Sequence, residues 1–139
     1  MCSSDLDLGL LALRLTLGAV FLAHGAQKSV GAFGGPGFAG ATGFIGSIGF
    51  RPARLWTALA VGGELVAGAL FVLGFATPLA ALLVLGTMAV AIAKVHGPKG
   101  FFIQNGGFEY NLVLIIAALA VAALGPGAFS LDHVLGLAR

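Results

Sequence analysis

The side chains that could do chemistry in this chain are few and widely spaced. Glu64, His24 and Glu109 are candidates for taking up and releasing protons. Histidine titrates near neutrality, and a carboxyl group in apolar surroundings can be tuned toward it. Arg14, Lys28, Lys94, His96, Asn105 and Tyr110 offer the positive charge and hydrogen-bond donors that would hold a small anionic or carbonyl-bearing ligand. Arg14, Gly18, Phe21, Gly25 and Lys28 recur at helical spacing and share one face, with His24 at its border. Arg14 and Glu64 each lie several residues inside an apolar run, so they are expected partners across two antiparallel helices. His96, Asn105, Glu109 and Tyr110 gather around one loop and have the polar variety of a small-molecule or quinone site.

Each of these groups also has a plainer reading. A buried Arg–Glu pair can do no more than fix helix register. His24, Lys28 and Lys94 near helix ends can be interfacial residues whose tips reach toward water. Loop capping accounts for Asn105 and Tyr110 almost as well as ligand binding does. Metal binding is disfavoured, because His24, His96 and His133 show no i, i+4 pairing and no flanking cysteine ligands. Gly34-Gly35-Pro36-Gly37 is followed by no Gly-Lys-Ser/Thr and preceded by no strand, so it reads as a membrane-surface turn. The single cysteine, Cys2, leaves this chain without a dithiol of its own. With no haem-ligand pair, flavin motif or cluster-binding cysteine set, the chain by itself is expected to be redox-silent, a quinone being the one cofactor candidate.

The elements that must position these residues are membrane helices. Of 139 residues, 59% are hydrophobic and 9% charged, with a mean hydropathy of +1.07; soluble domains carry about 25% charged residues. About 20 apolar residues cross a bilayer, so four crossings with short connections nearly exhaust the chain. The expected fold is an all-α membrane protein, a four-transmembrane-helix bundle with two irregular loops rich in glycine and aromatic residues. Seven Lys+Arg against five Asp+Glu are too sparse for a nucleic-acid-binding stripe.

Helix one is expected over Leu8 to about Ala26, with residues 1–7 set apart as a disordered or non-native amino terminus and residues 8–139 forming a single domain. Gly31–Phe50 is too glycine-rich to span, and its spacing after Pro36 predicts a short interfacial or half-inserted helix. Arg51-Pro52 opens helix two, which runs to about Phe75. Thr77-Pro78 connects it to helix three, about Leu79 to Val95, stopped by Gly97-Pro98. A second irregular segment, 97–108, carries Phe101, Phe102 and Phe108, and helix four follows over Glu109–Leu124. Ala60, Glu64 and Gly68 place small residues beside the glutamate, so that face should point into the bundle. Lys28, Arg51, Arg54, Lys94 and Lys99 cluster in the connections after helices one and three. A positive-inside reading puts loops 27–52 and 97–108 in the cytoplasm and both termini outside.

The run Phe21-Leu22-Ala23-His24-Gly25-Ala26-Gln27-Lys28 after Arg14 resembles the DoxX family. So do Glu64 with Gly68 and Gly74-Phe75-Ala76-Thr77, and His96-Gly97-Pro98 leading to Gly100-Phe101-Phe102. Asn105-Gly106-Gly107-Phe108-Glu109-Tyr110 and Gly125-Pro126-Gly127-Ala128-Phe129-Ser130-Leu131-Asp132 complete the likeness, which covers about residues 8 to 136. The resemblance implies a four-helix bacterial inner-membrane protein, a membrane subunit of an oxidoreductase system linked to quinone, thiol or sulfur chemistry. A related DoxD/DoxA pair forms a thiosulfate:quinone oxidoreductase. Pro78 departs from a pattern in which arginine often follows the threonine. The partners implied are the lipid bilayer, a soluble or membrane redox protein, and a second copy of the chain, with no nucleic acid. Two other classes compete: a small-molecule transporter or permeability protein, with Glu64 and Arg14 lining its path, and a non-catalytic anchor that docks a soluble partner on the aromatic loops.

Overall fold

A computed structural model describes residues 3–138. It is all-helical among those residues, with long helices α1 (Ser3–Ser29), α3 (Ala53–Leu73), α4 (Thr77–Ala91) and α5 (Glu109–Leu124), and short helices α2 (Gly37–Ser47) and α6 (Leu131–Val134). The first two long helices and α4 with its continuation to Lys99 are long and apolar enough to cross a membrane; α5 is apolar but has 16 residues. At 1.5 Å per residue α5 is about 24 Å long, short of a full hydrocarbon core.

Apolar side chains cover these helices on all sides. Leu17, Phe21, Ala67, Phe71, Ala80, Val84, Leu114, Ala118 and Val121 form the core. Outward, Leu55, Leu59, Val66, Leu82, Val113, Ile116 and Leu119 are exposed. Water would penalise that outer shell by roughly 25 cal/mol per Å²; lipid does not.

Helix α1 runs farther than its apolar stretch at both ends. Residues 3–7, set apart on sequence, are its opening turns, and Asp7 accepts a hydrogen bond from the Ala128 N–H at 2.9 Å. Met1 and Cys2 lie outside the described residues. The predicted short helix after Pro36 is α2, which packs on α1 and α3. Pro52 is the N-cap of α3 in extended conformation, and Gly74 ends that helix with φ 66°. Helix α4 passes into a π-helical turn at Ile92–His96, and tight turns at Gly97–Lys99 and Ile103–Asn105 lead to α5.

The register between α1 and α3 is set by glycine. A Cβ on Gly68 would lie 2.8 Å from the Leu22 nitrogen and 2.9 Å from the Gly18 carbonyl oxygen, and one on Gly25 would lie 2.7 Å from Leu65. Backbones this close need residues without side chains. The antiparallel pair therefore places Arg14 opposite Gly74 and the Lys28 end opposite Glu64.

Candidate functional site

That register overturns the expected Arg14–Glu64 pair. Arg14, 1% exposed, instead donates from its two terminal nitrogens to the carbonyls of Pro126 at 3.0 Å and Phe129 at 2.8 Å. It also lies within electrostatic reach of Asp132. Asp132 is buried and caps α4: one carboxylate oxygen accepts from the Ala76 N–H at 2.8 Å. The other accepts from the Thr77 N–H at 3.1 Å and from the Thr77 hydroxyl. Its own N–H donates to the Gly74 carbonyl at 2.9 Å. A carboxylate at a helix N-terminus satisfies orphan N–H groups and meets the positive end of the helix dipole. Burial by itself pushes the Asp132 carboxyl up; the Thr77 and Ala76 hydrogen bonds and the Arg14 charge outweigh it and hold the group below the usual carboxylate range. Ser130 caps α6 by accepting from the His133 N–H at 3.2 Å.

Glu64 pairs with Lys28 instead, through one carboxylate oxygen, in the only direct ion pair among the described residues. Glu64 is 2% exposed, whereas about a third of the Lys28 side chain remains open, 33%. The second oxygen, Oε2, is buried and has no hydrogen-bond partner among the protein groups. Leaving a buried polar atom unpaired costs about 1–3 kcal/mol, more for a charged group. Gly68 is buried on the face of Glu64 and Ala60 is half-buried, so the predicted inward face is the observed one.

The remaining candidates divide between loop and surface. His24 is exposed and forms no described hydrogen bond. Glu109, half-buried, accepts from the Ile103 N–H at 3.0 Å. The His96 Nδ1 donates to the Gly106 carbonyl at 2.7 Å. Both therefore tie down the 97–108 loop, together with backbone bonds from Phe108 to Gly100 at 3.0 Å and Glu109 to Phe101 at 2.9 Å. Tyr110 is exposed and flanks an open groove of about 310 Å³ lined by Phe101, Ile103, Glu109, Leu112 and Val113. Asn105 is exposed in the loop. Lys94 is exposed, with its Nζ 5.9 Å from the centre of the Phe50 ring. The loop gathers His96, Asn105, Glu109 and Tyr110 as expected, yet none of the four bonds another.

Residue chemistry alone passed over Asp132 and Asn111. Asp132 had a signal, the Ser130-Leu131-Asp132 step beside a Gly-Pro-Gly turn, which reads as a helix cap. Asn111 is a single amide inside an apolar helix, 5% exposed, with its Nδ2 donating to the Met88 sulfur at 3.3 Å and its Oδ1 unpartnered.

These features define a small helical membrane protein with one polar network at one end of its bundle, in which both Asp132 oxygens are bonded while the Arg14 Nε is left unpartnered, and one partly unsatisfied ion pair inside it. The chain belongs to the DoxX family, whose profile matches residues 9–97. It is also 27% identical over 84 residues to an uncharacterized protein of Haemophilus influenzae, a match covering 60% of this chain and 56% of that relative. No solved structure matches.

Proposed function

We propose that this chain is the membrane subunit of a quinone-linked oxidoreductase system whose electrons come from thiols or a sulfur anion, with Glu64 as its proton-handling group. The observation that carries the proposal is the Glu64 carboxylate, held among apolar helices by Lys28 on one oxygen and free on the other. Such a group is retained in a membrane interior at a cost of about 2.5–3.5 kcal/mol or more, and the redox role that the family resemblance implies is in keeping with this reading.

The chemistry balances without a cysteine in the bundle. A quinone takes up two electrons and two protons to become a quinol, and two thiols release two of each on joining as a disulfide. Two thiosulfates joined as tetrathionate release electrons alone, so both protons then reach the quinone from water. Glu64 Oε2 serves as the last station for those protons, and Lys28 stabilises its anion between transfers. Electrons pass from the donor or from a partner protein. Lys28, Arg51, Arg54, Lys94 and Lys99 all belong to the loop end, which supports a bacterial inner-membrane location with loops 27–52 and 97–108 in the cytoplasm.

The test is purification in mild detergent, extraction of bound quinone or flavin, and an assay of quinone reduction with thiosulfate and with thiols. Bound quinone and turnover that Glu64→Gln removes are the expected result. Absence of both, with no cellular effect of Glu64→Gln, overturns the proposal. Proton-coupled solute uptake in liposomes would put a transporter in its place.

A further inference from the structure

An aromatic pair at the start of α3 draws together two cations that are 43 residues apart in sequence, Arg51 and Lys94. Phe50 and Trp56 pack with ring centres 5.3 Å apart, and the Trp56 Nε1 donates to the Arg51 carbonyl at 3.3 Å. The Lys94 Nζ lies 5.9 Å from the centre of the Phe50 ring, within cation–π range. Arg51 follows Phe50 directly, and Arg51, Trp56 and Lys94 are all exposed. Lys94 belongs to the π-helical turn Ile92–His96, and such turns occur preferentially at functional sites. Trp56 stands 20 residues before Ala76, where α3 turns into α4, and Lys94 stands 18 residues after it. Those helix lengths amount to about 30 Å and 27 Å, close to the roughly 30 Å of a hydrocarbon core. With the Ala76 turn at one membrane boundary, the cluster therefore lies at the other, among lipid headgroups.

Neither cation is neutralised by this chain. The carboxylates of this end are occupied elsewhere, Glu64 with Lys28 and Glu109 with the Ile103 N–H, and neither Arg51 nor Lys94 forms an ion pair among the described residues. Two unpaired cations at headgroup depth suit a phosphodiester, and exposed rings beside them suit the apolar shoulder below it. A zwitterionic lipid offers the same phosphodiester but brings an ammonium that these cations repel. We propose that Arg51 and Lys94 bind the phosphodiester of an anionic lipid, with Phe50 and Trp56 packed against its glycerol and upper acyl chains. The site is independent of the quinone-linked reading.

Trp56 is the single tryptophan of the chain, so its emission reports from within the site. The purified protein is reconstituted in phosphatidylcholine vesicles, and increasing fractions of the lipid are replaced by phosphatidylglycerol with brominated acyl chains, which quench tryptophan on contact. Brominated phosphatidylcholine is the reference. Phosphatidylglycerol should be preferred at Trp56 by at least about tenfold, and Arg51→Gln and Lys94→Gln should each lower that preference about fivefold without changing the melting temperature. Lys99, whose side chain lies beside Gly106 instead, is the control: Lys99→Gln removes the same charge and should leave the preference within about twofold. Equal quenching by the two lipids, an unchanged preference in either cluster variant, or an equal fall in Lys99→Gln overturns the inference, the last by showing diffuse attraction in place of a site. Loss of the preference in excess inorganic phosphate but not in chloride of equal ionic strength also overturns it, with free phosphate as the ligand.

Discussion

Arg14 and Lys28 stand on one face of α1, about 21 Å apart along its axis, and each reaches a carboxylate region on a different part of the molecule. At the Arg14 end, Asp132 receives three hydrogen bonds from residues 76 and 77 and the Arg14 charge, and Arg14 itself ties down two carbonyls of the tail. At the Lys28 end, Glu64 has one bonded oxygen and one bare one. A carboxylate whose bonding capacity is taken up by its own chain positions structure. One left half-satisfied in a dry interior retains capacity for a ligand or a proton. The difference between the two carboxylates lies in completeness rather than depth, since both are buried and only Glu64 keeps an unbonded oxygen.

The largest expected effect is on stability at the Arg14 end. Arg14→Ala should destabilise the detergent-solubilised protein by about 3–5 kcal/mol, because it leaves two carbonyls without their donor, at about 1–3 kcal/mol each, and removes the charge near Asp132. Melting curves and protease cleavage within 125–138 would register it, and an unchanged melting curve would erase the distinction between the sites. Glu64→Gln should do the opposite, lowering quinone-linked turnover about 100-fold or more while shifting stability by only about 1 kcal/mol, since Lys28 can turn to water. Midway between the two sites, Gly68→Ala forces a methyl against Leu22 and Gly18 and should cost about 1–3 kcal/mol. Gly86→Ala, with open space around its Cβ, should fall within about 0.5 kcal/mol of the parent.

The smallest effect is the pH dependence of stability contributed by Asp132. Its carboxyl titrates lower in the folded chain than in the unfolded one. The stabilisation is therefore complete above the unfolded value of about 3.9 and is lost as pH falls through the folded value. Melting temperature measured from pH 6 downward should drop on acidification, and Asp132→Asn should flatten that slope. An identical slope in the variant would assign it to other carboxyls.

Much of the candidate site was legible in residue types, but its pairing was not. Lys28 and Glu64 both stood out, as charges do in an apolar chain, yet depth along each run matched Glu64 to Arg14. Where α1 meets α3 depends on which glycines touch, and Gly18, Gly25 and Gly68 are indistinguishable by type from Gly62 and Gly86, which meet nothing. Glu109 looked like a proton carrier and His96 like a ligand contact because nothing in the local sequence told that their partners would be the backbone of Ile103 and Gly106. Helix α5 was legible to the residue, because Phe108 and Gly125 bound an unbroken apolar run.

By itself, the sequence determined an all-α membrane protein with four apolar helices, a half-length helix after Pro36 and two aromatic loops, since hydropathy and helix breakers act locally along the chain. Tertiary structure alone decided which charge meets which, that residues 126–132 fold back onto Arg14, and that the Glu64 and Asn111 acceptors are buried without partners. Those outcomes depend on helix register, and register is set by the close approach of backbones far apart in sequence.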